Sequence, residues 1–188
     1  KTLGRWVLEQ AARQALTWAD RGLDFPIAVN VSVKQLHDRD FPSGLAALVQ
    51  ADPRLASRLE LEVTETAIAT DAAAIARLLA EIRGLGVRVH IDDFGTGYSS
   101  LSYLGRLPVD ALKIDRSLVA ATHEAQDARE IVRAIIALAT TLGLNTVAEG
   151  VETDQHAAFL KAAGCRQGQG YLYARPMPAG EFEAFIAR

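Results

Sequence analysis

Hydrophobic and polar positions along this chain follow two periods that take turns. Residues 3–19 place Trp6, Val7, Ala11, Ala15 and Trp18 at helical spacing, and Gly22 follows as a stop. Pro26 then precedes IAVNVSV, where Val29, Val31 and Val33 alternate with Asn30 and Ser32; a buried strand is predicted, with Asn30 on the face opposite the valines. A helical run through Leu45, Leu48 and Val49 stops near Pro53. In the next strand, RLELEVTET, Leu59, Leu61 and Val63 share one face while Glu60, Glu62 and Thr64 share the other. Asp71 is placed to cap the helix AAAIARLLAEIRGLG, which ends at Gly84 or Gly86. A third strand starts at Val87 and ends in Asp92 and Asp93, with Asp92 on the parity of Arg88 and His90.

The same alternation runs through the second half. Residues 99–105 read as a short helix before Pro108, and DALKID as the fourth strand, with Leu112 and Ile114 alternating with Lys113 and Asp115. Asp127 with Glu130 gives a capping-box-like start to the helix REIVRAIIALATTLG. LNTVAE is the fifth strand, ending at Glu149. A helix over residues 154–163 stops at Gly164, QGYLY is the sixth strand, and a last helix covers residues 180–187. Strands and helices in strict alternation predict an α/β fold, a parallel sheet with helices packed outside it. Pattern alone leaves a doubly wound sheet and a closed barrel both open. A full (β/α)8 barrel takes about 250 residues, roughly 31 per unit, so six units need about 190. The 188 residues fit six of the eight units of a TIM-type barrel, with two units expected to be missing at the amino end. No composition shift or linker divides the chain, so residues 1–188 are expected to be a single domain.

Composition narrows the function classes. Hydrophobic residues make up 49% and charged residues 23%, an ordinary globular balance. A net charge of -3 argues against a protein that coats duplex nucleic acid, which needs a positive stripe. It leaves open a small anionic ligand held through metal ions. No apolar run approaches the roughly 18 residues of a membrane span. The best candidate, residues 135–144, reads as a core helix. The opening KTLGRWVLEQ lacks a signal-peptide succession, and Cys165 is the one cysteine, which suits a reducing, cytoplasmic setting.

Asn30, Glu62, Asp92 with Asp93, Lys113, Glu149 and Gln169 fall at or near the carboxyl ends of successive strands, the rim where parallel α/β folds bind ligands. Oxygen donors without His or Cys favour a hard cation, Mg²⁺ or Mn²⁺, over Zn²⁺. Two such ions about 3.5 to 4 Å apart would suit an in-line phosphoryl displacement, with Lys113 positioning or deprotonating the attacking water. Each residue also has a plainer reading. Asp92 and Asp93 can be a helix cap beside a solvated carboxylate, Glu62 a salt-bridge partner, Asn30 a turn residue, Lys113 a paired lysine and Gln169 a loop amide. Glu149 and Glu152 are placed to favour the start of the helix near Thr153. Glu60, Arg88 and His90, lower on the same side, are expected to form a polar network inside the barrel. A Schiff-base lysine at Lys113 is disfavoured, because surrounding carboxylates hold it protonated.

The segments NVSVKQL, LELEVTET, IDDFGTGYSSLSYLGRLPVDALKIDRSLV, TVAEGVET and GCRQGQGYLYARPMP carry a resemblance over almost the whole chain. Together they resemble the EAL domain, the bacterial phosphodiesterase specific for cyclic di-GMP (c-di-GMP). The resemblance implies a (β/α)8 barrel that hydrolyses c-di-GMP to linear pGpG with Mg²⁺ or Mn²⁺. Asn30, Glu62, Asp92 and Glu149 match ligands of the first metal, and Asp92 with Asp93 those of the second. Lys113 matches the residue at the nucleophilic water, and Gln169 one that supports the metal-water shell. Glu65 resembles the glutamate that braces the loop after the DDFG strand. Glu152 resembles an acid behind the ligands, and Asp115 a residue near substrate or metal. The loop over residues 94–100 is implied to lie at a homodimer contact, and family members often carry sensory or cyclase domains.

One departure stands out. The Glu-Ala-Leu motif that names the family is absent from these residues, and with it one expected metal-ligating glutamate and a phosphate-binding arginine. The expectation is an amino-terminally truncated EAL domain, poorly active alone and prone to self-association through unpaired sheet edges. The alternative is a catalytically inactive c-di-GMP-binding receptor or regulatory module.

Overall fold

The computed structural model describes residues 3–95 and 104–187. In chain order the elements are α1 (Leu3–Asp20), β1 (Ile27–Asn30), α2 (Val33–Leu36), α3 (Phe41–Ala51), β2 (Leu59–Thr64), α4 (Glu65–Ala69), α5 (Ala72–Gly84) and β3 (Arg88–Phe94). After the undescribed stretch come β4 (Ala111–Ile114), α6 (Arg116–Ala121), α7 (Gln126–Thr141), β5 (Asn145–Ala148), α8 (Asp154–Ala162), β6 (Gln167–Gly168) and α9 (Ala179–Ile186). The strands form one six-stranded sheet in sequence order, and every neighbouring pair is parallel. This is the α/β parallel sheet that the alternation predicts, in the TIM-barrel-like order that the chain length favours.

Strand periodicity decides what lies on each face. Leu59, Leu61, Val63, Val89, Ile91, Leu112 and Ile114 are at most 1% exposed and pack in the core with Leu45, Leu79, Ile82 and Val132 from the helices. Burying a side chain of that size stabilises by roughly 1.5–3 kcal/mol, so this face holds the sheet against its helices. The intervening positions put Glu60, Glu62, His90, Asp92 and Lys113 on the other face. Four of these, Glu62, His90, Asp92 and Lys113, are themselves buried.

Local chemistry sets the element ends. Thr64 ends β2 and caps α4 by accepting from Ala67 N, and Asp71 caps α5 by accepting from Ala74 N, as its position predicts. At β1 the valine alternation runs past the strand. Val31 N still donates to Glu62 O, but Ser32 forms a capping box with Gln35, and Val33 starts α2. At α7 the expected capping box does not form. The helix begins at Gln126 with no side-chain cap, and Glu130 instead accepts from Gln126 Nε2 and Arg133 Nη1.

The sixth strand is a correction. It lies at Gln167–Gly168, while the residues of QGYLY after Gln169 turn away, with Tyr173 N and Ala174 N both donating to Gly170 O. Tight packing makes the turn here. A Cβ on Gly170 would lie 2.3 Å from the Val151 backbone, so only glycine lets the chain cross at this point. Aromatic β-propensity at Tyr171 and Tyr173 loses to that contact. The expected helix over residues 99–105 and most of the loop over residues 94–100 lie outside the described residues.

Between β1 and β6 the sheet leaves a groove of about 880 Å³, lined by Trp6, Trp18, Phe25, Tyr171 and Phe182 among others. Across one side of it, α9 meets α1, with Trp18 Nε1 donating to Glu183 Oε1 at 2.8 Å and the Trp18 and Phe182 rings 5.3 Å apart. Among the described residues no helix is long and apolar enough to cross a membrane.

Candidate metal centre

The buried cation of the site is Lys113, on β4 and 4% exposed. Its Nζ lies 2.7 Å from Glu62 Oε1 on β2, 2.9 Å from Asp92 Oδ1 on β3, and 2.6 Å from Glu149 Oε1 just past β5. Parallel pairing sets these strand ends side by side, with Asp92 two residues beyond the level of Glu62 and Glu149 two beyond that of Lys113. Asn30 pairs with Glu62 in β1–β2, Glu62 with His90 in β2–β3, and Lys113 with Val147 in β4–β5.

Asp93 reaches the same place by a different route. In a regular strand, neighbours point to opposite faces, so Asp92 and Asp93 would be separated. Here the β3–β4 register shifts between Ile91 and Phe94, and Asp93 adopts a left-handed backbone with φ 55°. A bulge of this kind re-aims side chains. Consequently one ligand oxygen each from Asp92, Asp93 and Glu149 lies within 4.8 Å of the others. Nothing in the sequence announces the bulge except the glycine that follows it, Gly95.

The electrostatics of the cluster are unbalanced. Burial pushes the Glu149 carboxyl above its ordinary range, with Asp92 and Glu62 adding to the push and Lys113 opposing it. Asp93 is also raised, by desolvation first and then by Asp92 and Asp115. Burial alone would make Lys113 easier to deprotonate, but hydrogen bonds to Glu149 and Glu62 outweigh it and push its pKa well up. Held among these carboxylates, Lys113 is an ammonium donor, which disfavours a Schiff-base role, since that needs a depressed pKa.

The other predicted residues surround the cluster. Glu65, at the start of α4, accepts from Gly95 N at 3.4 Å, which ties the chain after Asp93 to the α4 turn. Asp115 caps α6, accepting from Ser117 N at 2.8 Å and from the Ser117 hydroxyl. Gln169 takes its place through its backbone, its N donating to Ala148 O and its O accepting from Val151 N. Glu152 is exposed, and its N–H points at His156 Nδ1, 3.4 Å away. The helix behind it is capped by Thr153 rather than by Glu149 or Glu152. Of the residues predicted from strand ends, the structure gathers Glu62, Asp92, Asp93, Lys113 and Glu149 most closely. Asn30 and Gln169 stand at the two flanks of the sheet. His156, buried at 7% and backing the loop that carries Glu149, is one the sequence reading missed; a lone histidine in a helix gives no distinguishing signal.

Asp92 Oδ1 is fully buried, and the ammonium it faces at 2.9 Å, Lys113 Nζ, is shared with Glu62 and Glu149. Three carboxylates sharing one buried ammonium are costly unless something else offsets their charge. The all-oxygen donor set suits a hard divalent cation. The groove lined by Trp6, Trp18 and Phe182 is elsewhere and shares only Gln169 with these residues, so chemistry rather than concavity marks the site.

As a class, then, this is an acidic cluster with the donor set for a cation, on the carboxyl rim of a barrel-like parallel sheet. The chain belongs to the EAL domain family, whose pattern matches residues 1–176. It is 40% identical over 186 residues to the cyclic di-GMP phosphodiesterase PdeR of Escherichia coli (strain K12), covering 99% of this chain and 28% of that protein. The c-di-GMP complex of the PaMucR phosphodiesterase superposes with a TM-score of 0.92 at 44% identity, over 96% of this chain and 73% of that one. The EAL domain of Mycobacterium smegmatis DcpA gives 0.91 at 41% identity, over 98% of this chain and 84% of that one. The chain spans between 23% and 32% of the length of the first curated relatives it matches.

Proposed function

We propose that this chain is the catalytic body of a metal-dependent phosphodiesterase that hydrolyses c-di-GMP to linear pGpG. The observation that carries the reading is the cluster of Asp92, Asp93 and Glu149 oxygens within 4.8 Å of one another. Relatives named as cyclic di-GMP phosphodiesterases support it. In this reading Asn30, Glu62, Asp92 and Glu149 hold one Mg²⁺ or Mn²⁺, and Asp92 with Asp93 hold a second. Bound ions of this kind lower the pKa of water and offset the charge of the phosphodiester.

The protein's own residues do the rest. Lys113 donates to three carboxylates and keeps them apart at fixed distances. Its ammonium also offers a donor to the attacking water. Hydrolysis then adds hydroxyl to phosphorus, breaks one P–O bond and leaves the proton on the departing ribose oxygen. Glu65 keeps the strand-end loop in place through Gly95, Asp115 and Glu152 stand behind the ligands, and Gln169 completes the rim. Residues 1–188 act as a single domain, with dimer contact through the loop after Asp93 and sensory domains in the parent protein as further parts of the proposal.

A receptor that binds c-di-GMP without cleaving it is the competing reading. The two separate in the full-length protein with Mg²⁺, by following pGpG chromatographically beside calorimetric binding. Product formation that disappears on chelation is expected. Tight binding with no product would replace the enzyme with the receptor.

A further inference from the structure

Arg116 opens α6, one residue past Asp115 and three past Lys113. Its side chain is exposed, and among the described residues it enters no ion pair or hydrogen bond. Its root is nevertheless fixed. Gly150, with φ +66°, lies so close that an added Cβ would stand 2.6 Å from Arg116 Cβ. Gly150 directly follows Glu149, so the backbone carrying one ligand of the acidic cluster packs against the base of this arginine. The guanidinium charge reaches Asp93, where it opposes the push from Asp92 and Asp115. Asp115, the nearest acid in sequence, is already committed to Ser117.

A rooted, unpaired guanidinium beside a cation site has a defined chemical use. C-di-GMP carries two phosphodiesters, and hydrolysis at one leaves the other as an anion in need of a partner. Guanidinium matches a phosphate with two parallel N–H···O bonds, which lysine cannot reproduce. Once cations occupy the carboxylates, those acids no longer compete for the arginine. Resting on the phosphodiesterase reading above, we propose that Arg116 binds the phosphodiester of c-di-GMP that is not being hydrolysed. It thereby sets the preference for the cyclic dinucleotide over simpler diesters.

The test compares Arg116→Ala and Arg116→Lys in the full-length protein with saturating Mg²⁺, on c-di-GMP and on bis(p-nitrophenyl) phosphate, which has a single diester. Arg116→Ala is expected to raise KM for c-di-GMP about 10-fold or more while kcat changes less than about threefold, the pattern of lost uniform binding. Selectivity for c-di-GMP over the small diester falls by about the same factor, and Arg116→Lys recovers part of it. An unchanged KM, or equal losses on both substrates, overturns the assignment. If the unaltered protein forms no pGpG, the phosphodiesterase reading fails instead. Calorimetric c-di-GMP affinity then decides Arg116 alone, a weakening of about 10-fold supporting it and no change refuting it.

Discussion

Two polar clusters sit on one face of the sheet, a single side-chain step apart on the same strands, and they have opposite fates. In the lower one, Arg88 Nη2 meets Glu60 Oε1 at 2.7 Å, and His90 Nδ1 stands 3.8 Å from Glu60 Oε2. Burial holds His90 toward its neutral form against the pull of Glu60 and Glu62, so one cation faces one anion. In the upper one, Lys113 alone faces Glu62, Asp92 and Glu149, and Asp93 stands beside them. The lower cluster is closed on itself. The upper is short of positive charge, and burial, with the neighbouring carboxylates adding to it, raises Glu149 and Asp93. Charge count, rather than polarity or burial, separates a structural network from a site.

The contrast is sharpest in turnover. Asp92→Asn should reduce pGpG formation on the order of 10³-fold, since several kcal/mol of charge stabilisation depend on the ligand, while Glu60→Gln should leave it within about threefold. Comparable losses from the two would erase the distinction. Stability comes next. Without metal, Lys113→Met strands buried carboxylates and should lower the unfolding free energy in urea by about 3–5 kcal/mol. Arg88→Met, removing a half-exposed pair, should lower it by at most about 1 kcal/mol.

Mg²⁺ or Mn²⁺ at about 100 times its dissociation constant should stabilise the fold by about 2.7 kcal/mol, read as a rise in Tm. Asp92→Asn should abolish that rise and Glu60→Gln retain it. The smallest effect concerns pH. His90 is depressed in the folded state, so the unfolded chain binds its proton first; stability is present above the ordinary histidine value of about 6.5 and is lost as pH falls toward the folded pKa. His90→Asn should flatten that slope in metal-free urea titrations. An unchanged slope would show that His90 is not depressed in the folded state and that another group carries the pH dependence.

Much of this was legible from residue periodicity. The order of strands, the faces of Glu60, Glu62, Arg88, His90 and Lys113, and the cap at Asp71 follow from side-chain spacing, a local property. What escaped was non-local or conformational. Parity puts Asp92 and Asp93 on opposite faces, and only the register shift at β3 reunites them. QGYLY alternates like a strand, but Gly170 pressed against Val151 turns the chain. Asp127 and Glu130 have capping spacing, yet Gln126 and Arg133 take the glutamate. The upward shift of Lys113 depends on three partners from three strands, visible only once the register is known.

The left-handed backbone of Asp93 leaves the protein exposed to its own improvement. Glycine would occupy that conformation with less strain, by an amount on the order of 1 kcal/mol, and it would also remove a negative charge from a crowded acidic patch. A selection for thermal robustness alone would therefore drift toward losing this aspartate. Its presence in the chain is a record that something other than stability has been kept.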